Sequence, residues 1–316
     1  MRRLPSPSSV RPARAALTAL AAAGLALGLV ACGSSSGSPQ ASGDSSGTQR
    51  IEVVAVTNVY GDIVSKIGGD RVKVTSIIAN ASQDPHSYET TAQDKLAVSK
   101  AALLIENGGG YDDFFSKLAE GADPGKLIDV VELSGLKTAA NSEDFNEHVW
   151  YSLPSVSKLA DRIAQKLGGI DTSNAAEFTA NAEKFKASVA QIETVLAGVK
   201  AGSEGQPVAI TEPVPLWMLQ SAGLVNKTPE EYSHAIEEGS DVPPAVLKAA
   251  SDLLSSKSVR FLAYNDQTEG PQTESLKKAA EAAGVPVVNF SETLPEGQDY
   301  LEWMTQNANH IADALK

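Results

Sequence analysis

Four histidines stand in a 316-residue chain that carries 39 Asp and Glu against 26 Lys and Arg. A neutral imidazole beside carboxylates can move a proton or hold a divalent metal ion. His86 lies in Asn80-Ala81-Ser82-Gln83-Asp84-Pro85-His86-Ser87-Tyr88-Glu89, directly after a β-branched run, and His148 lies in Asn146-Glu147-His148-Val149-Trp150-Tyr151, ahead of a long helical stretch. The other two histidines read as structural. His234 sits on an acidic helix with Glu230, Glu231, Glu237 and Glu238, and His310 falls in the last turns of a C-terminal helix, where a cation complements the dipole. A single cysteine forms no internal disulfide and no cysteine-based zinc site. No P-loop follows a strand, Gly108-Gly109-Gly110 lacks dinucleotide spacing, and no Gly-x-Ser-x-Gly elbow or His-Glu-x-x-His helix occurs.

Positioning these residues requires a scaffold, and short β-branched runs alternating with amphipathic stretches predict βαβ units with parallel strands. The candidate strands are Ile51–Thr57, Val72–Ile78, Ala101–Glu106 and Leu127–Val131, then Val208–Thr211, Arg260–Tyr264 and Pro286–Phe290. In such sheets ligands bind beyond the carboxyl ends of the strands, which is where His86 falls. Between the two groups Val156, Leu159, Ile163 and Leu167, then Phe178, Phe185, Val189, Ile192 and Leu196, follow helical spacing. Gly168-Gly169 breaks this run, and Asp171-Thr172-Ser173 offers caps for a second helix from Ser173 to Ala201, about 42 Å long. Such a helix is either a beam joining two lobes or one packed along a single large α/β domain. Thr228-Pro229-Glu230-Glu231 predicts a further capped helix start.

The ends of the chain differ in kind. Arg2, Arg3, Arg11 and Arg14 precede the apolar run Ala15–Val30, the pattern of a secretory signal rather than a membrane span. Leu29-Val30-Ala31-Cys32-Gly33 resembles the bacterial lipobox, which implies that Cys32 is acylated and becomes the mature N-terminus. Residues 32–50 have the Gly/Ser composition of a flexible tether. Removal of residues 1–31 takes away four arginines and moves the formal net charge from −13 to −17. That balance excludes a nucleic-acid binder and leaves a lipid anchor as the sole hold on the membrane.

Asp84-Pro85-His86-Ser87-Tyr88-Glu89 with Thr91-Ala92-Gln93-Asp94, together with Glu147-His148-Val149-Trp150, resembles the two N-terminal ligand motifs of the cluster A-I, TroA-like zinc and manganese receptors of ABC transporters. The resemblance covers nearly all of Ile51 to Lys316. It implies two Rossmann-like α/β lobes, residues 51–172 and 204–316, each a four-stranded parallel sheet with flanking helices. One long rigid helix, residues 173–203, bridges them, and one metal ion sits in the interlobe cleft. Only three strands are evident in the second lobe. By the same resemblance Glu212, in Thr211-Glu212-Pro213, and Glu292, in Ser291-Glu292-Thr293, complete the ligand set with His86 and His148. Glu292 departs from the usual Asp by one methylene. Tyr264-Asn265 stands at a strand end, either to hydrogen-bond these ligands or as turn chemistry. Pro213-Val214-Pro215-Leu216-Trp217 reads as packing beneath the site.

Two imidazoles and two carboxylates neutralise a divalent ion, so Zn²⁺ or Mn²⁺ is expected, with Fe²⁺ also admissible. The segment Ser134–Glu147 lacks the His-rich loop of many zinc receptors, which removes one argument for zinc. The resemblance implies a monomeric receptor, not an enzyme, lipid-anchored on the outer face of the cell membrane. It would deliver the ion to an ABC permease coupled to a cytoplasmic ATPase. Two alternatives are a secreted metallohydrolase, which lacks its motif here, and a same-fold receptor for a siderophore-like ligand, which would line its cleft with Arg or aromatics.

Overall fold

The computed structural model describes residues 50–80, 83, 88–142 and 145–316. Cys32, the Gly/Ser segment and His86 lie outside the described residues. The first sheet contains β1 (Ile51–Thr57), β2 (Val72–Ile78), β3 (Leu103–Glu106) and β4 (Leu127–Asp129) in the order β2-β1-β3-β4, all parallel. The second contains β5 (Pro207–Ile210), β6 (Val225–Asn226), β7 (Leu262–Asn265) and β8 (Val287–Phe290) in the equivalent order β6-β5-β7-β8, again all parallel. Helices cover both faces, so the central strands are buried throughout, as in Leu103-Leu104-Ile105-Glu106.

The fourth strand of the second lobe went unread in the sequence because β6 has only two residues, exposed Val225 and half-buried Asn226, too few for a period to show. Leu127–Val131 is a strand only as far as Asp129. There the Asp129 side chain accepts from Glu132 N at 2.8 Å and starts the helix Val130–Ser134. Thr228 does not cap the helix Glu230–Glu237. Its hydroxyl accepts from Ile210 N at 2.8 Å and donates to Ile210 O at 3.2 Å, filling the ladder beside β5.

The long helix runs from Ala175 to Ser203, 29 residues, or about 44 Å. A tight turn, Thr172–Asn174, precedes it, and Asn174 rather than Asp171 occupies the cap position, its amide donating to Asp171 at 2.6 Å. Phe178, Ala182, Phe185, Val189, Ile192 and Leu196 make one buried stripe. It packs on helices Asn58–Gly68 and Leu153–Ile170 of the first lobe and on Leu216–Ser221 and Tyr300–Ala314 of the second. One apolar cluster therefore runs through both lobes, while a second, around Tyr232, Ala235, Leu254 and Leu276, belongs to the second lobe alone.

Polar contacts close the lobe junction. Asn58 donates to Leu294 O at 3.1 Å and accepts from Leu294 N at 3.0 Å, and Tyr151 donates its hydroxyl to Ser291 O at 2.8 Å. On the other side Asn146 donates to Pro213 O at 3.0 Å and Trp217 Nε1 donates to Asn146 O at 3.1 Å. Among the described residues, no helix is long and apolar enough to cross a membrane.

Candidate metal centre

Every described residue of the expected set follows the carboxyl end of a strand or lies at the lobe junction. His148 precedes the short turn Val149–Tyr151 and is 1 % exposed, with its ring edge-on to Trp150 and Tyr111 at centroid distances of 5.1 and 5.8 Å. Its Nδ1 lies 2.8 Å from Asn146 Oδ1. Because the Asn146 amide nitrogen is committed to Pro213 O, the atom facing the imidazole is an oxygen, which only accepts. The ring proton is therefore assigned to Nδ1, leaving Nε2 as the lone-pair nitrogen, 4.0 Å from Glu292 Oε2. A ring locked this way presents a lone-pair nitrogen to the cleft.

Glu212, two residues past the end of β5, and Glu292, two residues past the end of β8, are both buried. Asn265, the last residue of β7, donates its side-chain amide to Glu212 Oε2 at 2.5 Å and to Glu292 Oε1 at 2.9 Å. Thr268 donates its hydroxyl to the same Glu212 oxygen, and Tyr111 donates to Glu292 Oε2 at 3.3 Å. Gln267 accepts from Glu292 N at 2.5 Å and Thr293 N at 2.9 Å, which fixes the loop that carries Glu292. With Glu in place of Asp the carboxylate still reaches Asn265 and Tyr111. Tyr264 points elsewhere: its hydroxyl donates to Glu269 at 3.4 Å and Lys277 lies 4.5 Å from its ring centroid.

The two ends of the segment carrying His86 are held, although His86 itself is not among the described residues. Gln83 accepts from Ala79 N at 2.9 Å, and Asn58 donates to Ala79 O at 3.3 Å. Beyond it Tyr88 donates to Asp94 at 3.1 Å, and Thr91 and Asp94 form a reciprocal cap for the helix Ala92–Lys100.

Glu237, half-buried, escaped the sequence reading. It closes a helix that looks solvated, and the one signal in the sequence is register, since it lies one turn beyond Ser233, which is buried. Its Oε1 stands 3.8 Å from His148 Nδ1, and the two share a cavity of about 670 Å³ with Glu212 and Glu292. Burial, reinforced by the carboxylates of Glu147, Glu212, Glu292 and Glu238, pushes its pKa up to about 9. Glu147, His148 and Glu237 offer ligand atoms within 4.8 Å of one another. His234 is exposed and paired with Glu238 at 3.2 Å. Among the described residues, so many carboxylates around one imidazole form a site without a cationic side chain, and a divalent cation is a species that supplies the missing charge.

Comparison with known proteins agrees with this chemistry. The manganese ABC transporter substrate-binding lipoprotein scaA of Streptococcus gordonii is 25 % identical over 310 residues, covering 92 % of this chain and 95 % of that protein. The manganese-binding lipoprotein MntA of Halalkalibacterium halodurans is 29 % identical over 154 residues, 48 % of this chain and 50 % of that protein. Among solved structures, FpvC of Pseudomonas aeruginosa in complex with Mn²⁺ superposes with a TM-score of 0.69 at 22 % identity, covering 84 % of this chain and 98 % of that one. The periplasmic zinc-binding protein TroA of Treponema pallidum superposes with a TM-score of 0.70 at 18 % identity, covering 84 % and 99 %. The model of the family described as ZnuA, zinc-uptake complex component A, periplasmic, matches residues 53–314, and this chain belongs to that family.

Proposed function

We propose that the protein is an extracytoplasmic receptor that captures one divalent transition-metal ion, Zn²⁺ or Mn²⁺, and hands it to an ABC permease for import. The observation that carries the reading is the convergence of His148 Nε2, Glu212 and Glu292 at the lobe junction, with Asn265 bridging the two carboxylates. His86 would complete a set of two imidazoles from the first lobe and two carboxylates from the second, whose charge a divalent ion balances. Oxygen donors suit Mn²⁺ and nitrogen donors suit Zn²⁺, so the mixed set accommodates both.

Capture rather than catalysis follows from the same contacts. A metallohydrolase needs a carboxylate poised as general base beside an open coordination position. Here Glu212 and Glu292 are instead held in place by Asn265, Thr268 and Tyr111. Acylation of Cys32 and a tether over residues 32–50 would keep a monomeric body at the outer membrane face. The matching relatives named as lipoproteins support this. Elemental analysis of the purified protein with competitive Zn²⁺/Mn²⁺ titration tests the reading. One bound ion per chain is expected, and a protein that neither retains nor takes up either metal would overturn it.

A further inference from the structure

Pro213-Val214-Pro215-Leu216-Trp217 follows Glu212 directly, and its contacts go beyond packing. Across the lobe junction it grips Asn146, two residues before His148: Pro213 O accepts from Asn146 Nδ2 at 3.0 Å, and Trp217 Nε1 donates to Asn146 O at 3.1 Å. Asn146 in turn addresses the imidazole, with its Oδ1 2.8 Å from His148 Nδ1 and accepting from His148 N at 3.1 Å. The backbone beside His148 is held differently. Buried Asn107, just past the end of β3, donates to Glu147 O at 3.0 Å, and Val149 N donates to the same oxygen at 2.6 Å. The main chain of this segment is therefore anchored in the first lobe, while the partner of its ring is held by the second.

A side-chain amide has an accepting end and a donating end, and turning it over exchanges them. Turned over, Asn146 would aim N–H groups at Nδ1, which would then have to accept. The imidazole proton would move to Nε2, the nitrogen that faces Glu292 at 4.0 Å, and a protonated Nε2 binds no metal. Two contacts resist the turn. The His148 N–H would lose its acceptor, and the Pro213 carbonyl would meet an oxygen instead of a donor. The first contact is local to the segment, whereas the second exists only where the lobes meet. Glu237 Oε1, 3.8 Å from Nδ1, stands beyond hydrogen-bond distance and does not replace Asn146.

We propose that Asn146 is a positioning residue through which the second lobe holds His148 in its metal-binding tautomer. This rests on the receptor reading and extends it. The segment after β5 acts on the ion twice, once through the Glu212 carboxylate and once, by way of Pro213 O and Trp217 Nε1, through an imidazole of the other lobe. A junction loosened at this segment costs the ion a nitrogen donor as well as a carboxylate.

The test joins two measurements on the purified protein at fixed pH and salt. NMR with ¹⁵N-labelled histidine identifies the protonated nitrogen of His148 in the metal-free state, the signal being assigned by its loss in His148→Ala, and calorimetric titration gives Kd for Mn²⁺ and Zn²⁺. Asn146→Leu removes both ends of the amide and is expected to weaken both metals about 10- to 100-fold, with the proton shifted toward Nε2. Asn146→Asp keeps an oxygen toward Nδ1 without a donor for Pro213, so it is expected to recover most of that loss and to return the proton to Nδ1. Trp217→Phe removes one cross-lobe donor. It is expected to weaken binding about threefold on its own but less than about twofold beside Asn146→Asp, whose carboxylate offers an oxygen either way up. Unchanged affinity and tautomer in Asn146→Leu overturn the proposal, as does an Asn146→Asp protein as weak as Asn146→Leu. Equal losses from Trp217→Phe in the two backgrounds also overturn it, by reducing Trp217 to general stability. If Asn146→Leu does not fold, the two Trp217→Phe proteins decide by the same criterion. Failure of the unaltered protein to bind either ion overturns the receptor reading itself. Normal binding with the proton on Nε2 in the metal-free unaltered protein overturns only the role of Asn146.

Discussion

Asn58 and Leu294 exchange two hydrogen bonds across the lobe junction, with Asn58 donating to the Leu294 carbonyl and accepting from its N–H. The same Asn58 amide also donates to Ala79 O, at the start of the segment that carries His86. One side chain thus ties the start of that segment to the loop of Glu292. Asn58→Ala should cost about 2 kcal/mol, since three modest bonds are lost and their partners are left partly buried. Urea unfolding of the metal-free protein measures this, and a change below about 0.5 kcal/mol would show that the junction does not depend on Asn58.

Asn265 places one donor between two carboxylates, so Asn265→Ala should reduce metal affinity about 10- to 100-fold while leaving the fold intact. Asn265→Asp should do worse, adding a third negative charge where Glu212 and Glu292 already face each other. Calorimetric titration with Mn²⁺ checks both variants, and wild-type affinity in Asn265→Asp would contradict the bridging role.

The histidines should separate sharply. His148→Ala is expected to abolish most metal binding, because it deletes the buried nitrogen facing Glu292. His234→Ala, at an exposed ion pair, should leave binding within about twofold of the unaltered protein. Equal effects in equilibrium dialysis would mean that the wrong imidazole has been placed at the centre.

Asp112 gives a pH dependence of stability. It is buried and accepts from Asn107 N and Gly108 N, yet burial raises its pKa from 3.8 to about 7. A carboxyl whose folded pKa is raised binds its proton more tightly when folded. Its contribution is therefore full below about pH 4 and is lost as pH rises through about 7. Asp112→Asn should flatten the decline in unfolding free energy between pH 5 and 8, measured with metal chelated. An identical slope in the two proteins would remove Asp112 as its cause.

Bound metal should stabilise the native state by mass action, about 2.7 kcal/mol at a hundredfold excess over Kd. A thermal melt that rises with added Mn²⁺ or Zn²⁺ and falls back with chelator is the expected result. A melt indifferent to both would count against a preformed site.

The strands, the long helix and the junction histidine were legible because their signals are local: β-branched runs, a helical stripe and a recognisable motif. What escaped depends on distance in space. β6 is a strand only because β5 lies beside it, and Thr228 looks like a helix cap until the Ile210 backbone claims its hydroxyl. Glu237 sits in an acidic helix indistinguishable by composition from a solvated one, and only the packing of Tyr232 and Ala235 turns it inward. Tyr264 and Asn265 are adjacent in sequence but face opposite ways, as neighbours on a strand must.

The apolar stripe of Ala175–Ser203 is shared by both lobes, so sliding one lobe against the other would tear a single continuous interior. The helix Glu230–Glu237 rests instead on a separate cluster within the second lobe. Strain imposed at the cleft therefore has an inexpensive outlet in that helix and a costly one in the long beam. A loaded and an empty molecule should differ most in the contour of the rim around Glu237, which is the relief a docking membrane protein would read.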